Sequence, residues 1–83
     1  MPRANAVYID RLRGCVIAAL RDFNLPAMIP TREILSQTQP RWGLEPMSEF
    51  VSLNEVVIGR MMGRLGYAQV HGPMFNGWWV ERA

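Results

Sequence analysis

No lysine occurs in the 83 residues: the basic complement is nine arginines against seven acids, for a formal net charge of +2. So small a surplus excludes a strongly cationic surface, and composition alone does not establish nucleic-acid binding. Arginine does offer a planar fork suited to phosphate and to guanine edges, although its exclusive use also fits the coding bias of a GC-rich genome. Nor is the charge segregated. Residues 1–51 carry six Arg and five acids, and residues 52–83 carry three Arg and two acids, so any basic patch has to be made by folding.

Cysteine is reduced to Cys15 and histidine to His71. A lone cysteine closes no disulfide within the chain, and one Cys with one His is no ligand set for structural zinc, so no metal and no cofactor are expected. The longest uncharged apolar run, from Gly14 to Leu20, is far short of the ~20 residues that a membrane span needs. No signal-peptide pattern opens the chain, and a cytoplasmic location is expected. A chain of 83 residues suits a single domain, 1–83, with residues 1–6 frayed. Its 49% hydrophobic and 19% charged content is that of a chain that folds.

A catalytic inventory is missing as well. Ser36, Ser48 and Ser52 have only His71 to share as a base, Glu45 and Glu49 have no second acidic cluster, and no glycine loop suited to phosphate is present. The chain reads as a binding module and not as an enzyme.

What the sequence does have is periodicity. Ile9, Leu12, Val16, Ala19 and Phe23 recur at spacings of three and four, which predicts a first helix from Val7 to Phe23 that stops near Asn24, ahead of Pro26 and Pro30. Ala27-Met28-Ile29 between those prolines is too short for a helix and reads as a brief strand. Thr31 is placed to cap a short second helix over residues 32–37, with Ile34 and Leu35 buried. Residues 38–51 hold two prolines and a glycine and read mostly as loop, with a helical turn from Pro46. Trp42, Leu44, Phe50 and Val51 in that loop are expected to fold back onto the core.

Ser52-Leu53-Asn54-Glu55 matches a capping box and predicts a third helix over residues 52–65, closed by Gly66 in the left-handed conformation. At about 100° per residue, Leu53, Val57, Ile58, Met61, Met62 and Leu65 share its buried half. Glu55, Val56, Gly59, Arg60 and Gly63 share the other, with Arg64 at the boundary. Aromatic and β-branched residues on both sides of a Gly-, Pro- and Asn-Gly-rich stretch then predict a β-hairpin over residues 67–82. Alternation along its second strand puts Trp78 and Val80 on one face and Trp79 on the other, and the wing pattern makes the Trp78 face the expected inward one.

The resulting architecture is mainly α with a small β-hairpin: helix, short strand, helix, helix, two-stranded wing. It resembles a winged helix-turn-helix domain. The residues carrying the resemblance are Ile29-Pro30-Thr31-Arg32-Glu33-Ile34, the run from Val57 to Tyr67, and Asn76-Gly77-Trp78-Trp79-Val80. The second block is similar to the third helix of the winged helix at the C-terminus of phage and plasmid primase-helicases. There, "IGR, apolar, two residues, LG-aromatic" leads into an "NG…W" hairpin. No helicase domain accompanies it, so the resemblance implies no ATPase. The connection between helices two and three also exceeds the ~3–4 residues of a standard turn.

The resemblance implies that helix three enters the major groove of duplex DNA while the wing touches the neighbouring backbone. Candidate contacts are Glu55, Gly59, Arg60, Gly63 and Arg64 on the helix, and His71, Asn76 and Trp79 on the wing. Arg60 and Arg64 could equally be solvated charges. Gly59 and Gly63 each cost about 1 kcal/mol in a helix and ask for a close-approaching surface, either phosphate or another helix. An outward tryptophan suits a base, a sugar or a protein interface. His71 reads as a solvent- or phosphate-facing strand residue and Cys15 as a buried, inert thiol.

The implied function is that of a small phage- or plasmid-type DNA-binding protein, a transcription regulator or replication accessory working as a dimer. The alternative is a winged-helix protein-interaction module, such as a phage-encoded inhibitor of a host defence complex, which the weak charge and the aromatic wing favour.

Overall fold

A computed structural model describes the backbone of residues 2–83 and the side chains from Val7 onward. The frayed segment expected at residues 1–6 lies outside the residues whose side chains are described, and the backbone of α1 begins at Pro2, ahead of the expected start at Val7. The elements run α1 (Pro2–Leu20), β1 (Ala27–Pro30), α2 (Thr31–Trp42), a 3-10 turn (Pro46–Glu49), α3 (Glu55–Arg64), β2 (Ala68–His71) and β3 (Asn76–Val80). The fold is mixed: three helices and one antiparallel sheet of strand order β1-β3-β2. The expected hairpin is thus only two-thirds of the sheet, because β1 pairs along β3 with Ile29 opposite Trp78 and Met28 opposite Trp79. No helix among the described residues is long and apolar enough to cross a membrane.

The core lies where the three helices meet the inner face of the sheet. α1 contributes Leu12, Cys15, Val16, Ala19 and Leu20, and α3 contributes Ile58, Met61 and Met62. The sheet adds Ile29, Trp78 and Val80, so the inward phase expected for Trp78 and Val80 is observed. Ile9 and Phe23, at the ends of the expected α1 stripe, are half-buried against this core. α1 ends at Leu20, earlier than Phe23, and the chain leaves it through the turn bonds Asp22 N–H to Ala19 O and Phe23 N–H to Leu20 O.

Several local expectations fail, each for a tertiary reason. α2 does not stop at Gln37 but continues through Pro40 to Trp42. Proline removes one helical hydrogen bond, yet near a helix end that penalty is small beside the burial of an indole. Trp42 is 2% exposed, its ring meets Tyr8 edge-on at 5.7 Å, and its indole N–H donates to Val51 O at 2.8 Å. Leu44 and Phe50, expected in the core, are 87% and 83% exposed. Met47 in the turn and Val51 just after it pack against the core instead.

Thr31 is no cap. Its backbone is already helical, and its hydroxyl accepts from Trp78 Nε1 at 3.0 Å and donates to Asn76 O at 3.2 Å, tying α2 to β3. Ser52 is no cap either. Burial of Leu53 keeps the chain extended to Asn54, whose side chain accepts from Val57 N–H at 2.9 Å, so α3 begins at Glu55. Its other end matches expectation, with Gly66 at φ +86°.

Asn76-Gly77, expected in the hairpin turn, lies inside β3; the turn is Gly72–Phe75, closed by Gly72 N–H to Phe75 O at 3.0 Å. Gly77 has a packing reason to be glycine. A Cβ there would come within 2.6 Å of the Met28 sulfur and 3.0 Å of the Ile29 carbonyl oxygen on β1.

Candidate functional site

α3 is the element that presents the candidate residues, and its amphipathic pattern decides how. Ile58, Met61 and Met62 anchor one side in the core, so the opposite arc, Glu55-Val56-Gly59-Arg60-Gly63-Arg64, faces outward. All six are exposed except Gly59, which is half-buried. At about 100° per residue, Glu55 and Gly59 sit on one flank of this arc, Val56 and Gly63 along its crest, and Arg60 and Arg64 on the other flank.

The first flank faces the sheet. Glu55, Val56 and Gly59 line an open groove of about 230 Å³ with Thr31, Gln69, Asn76 and Trp78. A Cβ at Gly59 would stand 3.9 Å from the Trp78 ring, at ordinary contact distance, so space alone does not require glycine there. A larger side chain would have to lie across the indole or fill the groove. Gly63 meets nothing within 4 Å and is simply open. His71 and Asn76 are paired across β2 and β3, with Nδ1 and Oδ1 3.3 Å apart. They share the sheet face of Gln69 and Trp78, so alternation directs both toward the α3 side.

The second flank faces α1. Arg60 and Arg64 border a cleft that also holds Tyr8, Ile9 and Leu12 of α1. Burial pushes the Tyr8 hydroxyl above its ordinary pKa, while the charge of Arg60 acts in the opposite direction. Ion pairs among the described residues are Arg13 with Asp10 and Arg41 with Asp22; neither involves Arg60 or Arg64.

The structure therefore brings Glu55, Gly59 and Asn76 together at one groove, with His71 paired to Asn76 beside it, sets Arg60 and Arg64 beyond the crest of the same helix, and leaves Gly63 between the flanks. Trp79 is not brought together with any of these. It lies on the outer sheet face opposite Met28 and Ala68, 41% exposed, with its indole donating to Glu81 at 3.3 Å. From Gly66 to Val80 the chain holds no arginine. The hairpin tip is apolar, with Met74 89% and Phe75 37% exposed.

Thr31, Gln69 and Tyr8 join the two flanks without being candidates from sequence. Gln69 was within reach of sequence reasoning, because strand alternation plus the register opposite Trp78 places it in the groove; Thr31 and Tyr8 depend on how α2 and α1 dock. Among the described residues no three His, Cys, Asp or Glu side chains gather at one place. Cys15 is buried, and burial together with nearby Glu45 raises its thiol above the ordinary pKa, against the opposing charges of Arg41 and Arg11. An unreactive thiol fits that setting.

No family model matches the chain, and no match is found among curated proteins or solved structures.

Proposed function

We propose that this chain is a winged-helix DNA-binding module of phage or plasmid type, in which the exposed arc of α3 lies in the major groove. The observation that carries the reading is the pair Arg60 and Arg64, one turn apart on an outward helix face and engaged in no ion pair among the described residues. Two guanidiniums at that spacing suit phosphate oxygens or guanine edges. Gly59 and Gly63 support it by leaving the helix backbone bare on the same arc. The element order supports a winged helix, as does the pairing of the short strand β1 with β3, and the resemblance to the primase-helicase C-terminal domain points the same way. The wing contributes His71 and Asn76 at most; Trp79, on the far face of the sheet, is outside the proposed interface. With so few contacts per chain, a dimer on two half-sites is the working form.

The test is fluorescence anisotropy of a labelled random duplex across a salt series. Wild type is expected to bind at low salt. Arg60→Ala or Arg64→Ala should lower affinity and reduce the salt slope by about 0.9 for each phosphate that the protein no longer neutralises. Absence of binding at low salt, or variants indistinguishable from wild type, contradicts the reading.

A specific observation favours a second reading, in which the module binds protein. The hairpin tip exposes Met74 and Phe75 and carries no arginine. Methionine and aromatic residues at an exposed tip are the composition of a protein contact more than of a phosphate contact.

A further inference from the structure

The cleft between α1 and α3 is more than a flank of the DNA-facing arc. Its base is apolar: Leu12 and Met61 are each 2% exposed, and Ile9 and Val57 are half-buried beside them. Its volume is about 190 Å³. The mouth is polar and of one sign, with the exposed guanidiniums of Arg60 and Arg64 on α3 and the half-buried Tyr8 hydroxyl on α1. Among the described residues, no acidic one lines it.

A helix that only met phosphate would need the two cations and no apolar hollow beneath them. A hollow that only packed would gain nothing from two charges at its edge that form no ion pair among the described residues. The combination is complementary to a molecule with an apolar ring and an anionic head: the ring displaces water from the hollow, and the head takes charge-assisted hydrogen bonds from a forked donor. Tyr8 adds a hydroxyl donor to the same lining.

We propose that the α1–α3 cleft binds a small aromatic carboxylate, its ring against Leu12 and Met61 and its carboxylate between Arg60 and Arg64. The site goes beyond the duplex reading and would stand without it. Where both hold, ligand and duplex compete for the same two guanidiniums, so the ligand acts to release DNA.

The experiment uses the full chain without DNA, so a failure of the duplex reading leaves its outcome untouched. Benzoate is titrated to about 20 mM into ¹⁵N-labelled protein against matched sodium chloride, and amide shifts are followed. Expected are saturable shifts confined to residues 8–12 and 57–64. Benzyl alcohol, which lacks the charge, and acetate, which lacks the ring, should each bind about tenfold or more weakly. The double variant Arg60→Gln/Arg64→Gln should keep the wild-type core spectrum and bind benzoate about tenfold or more weakly than wild type. The proposal is overturned by the absence of saturable shifts, by benzyl alcohol binding as well as benzoate, by an unchanged affinity in the double variant, or by shifts mapping elsewhere. It is equally overturned if an Asp-Phe-Asp peptide saturates the cleft while benzoate does not.

Discussion

The two faces of the sheet carry one tryptophan each, from adjacent positions, and use them differently. Trp78 is 5% exposed, with its ring in the core beside α3 and its indole N–H held by Thr31 of α2. Trp79 is 41% exposed and its indole bonds only to Glu81, two residues on. The residue type is the same and the backbone continuous, so the difference comes from which elements lie over each face. The inner face is where the fold and the candidate site coincide, because Trp78 packs in the core and also floors the groove between α3 and the hairpin. The outer face takes part in neither.

Substitutions at both positions break the comparison most strongly. Trp78→Ala should cost about 3–5 kcal/mol, enough to unfold a domain this small, whereas Trp79→Ala should cost less than half as much, as read from urea midpoints. Equal costs would remove the distinction between faces. Gly77→Ala comes next. Its methyl would press on Met28 and on the Ile29 carbonyl, and an overpacking cost of about 1–3 kcal/mol is expected. Combination with Met28→Ala should recover only part of it, since the Ile29 oxygen belongs to backbone.

A smaller effect isolates the link between α2 and the inner face. Thr31→Val keeps the shape and removes the hydroxyl that serves both Trp78 Nε1 and Asn76 O, so it should cost about 1–3 kcal/mol and weaken amide exchange protection in β3. The smallest concerns the start of α3. Asn54→Ala should cost about 1 kcal/mol, and Ser52→Ala less than about 0.5 kcal/mol, in the same denaturation assay. The reverse order would return the helix start to Ser52.

What can be read from the sequence follows the range of the forces involved. Alternation alone puts Trp78 and Val80 on one face, opposite Trp79, helical periodicity alone assigns Ile58, Met61 and Met62 to the core, and Gly66 marks the end of α3 through its own backbone freedom. The same periodicity sets Arg60 outward and Arg64 at the boundary, and both are exposed. The misses are where distant packing overrides local preference. Burial of Trp42 carries α2 past Pro40, burial of Leu53 moves the cap from Ser52 to Asn54, and the docking of α2 on β3 turns Thr31 from a cap into a clasp. Leu44 and Phe50 show the converse, since hydrophobicity in a connecting segment does not specify which of its residues reach the core. The cleft beside Tyr8 is invisible in the sequence for the same reason: it exists only once α1 and α3 are set side by side.

The most direct test of the central claim watches both faces in one spectrum. A short duplex is titrated into ¹⁵N-labelled protein at low salt, and the amides of Gly59 and Gly63 are followed together with the indole signal of Trp79. The α3 reading predicts that both glycine amides shift and saturate with the duplex while the Trp79 indole stays in place. A Trp79 indole that moves with the duplex while Gly59 and Gly63 remain unchanged would contradict it.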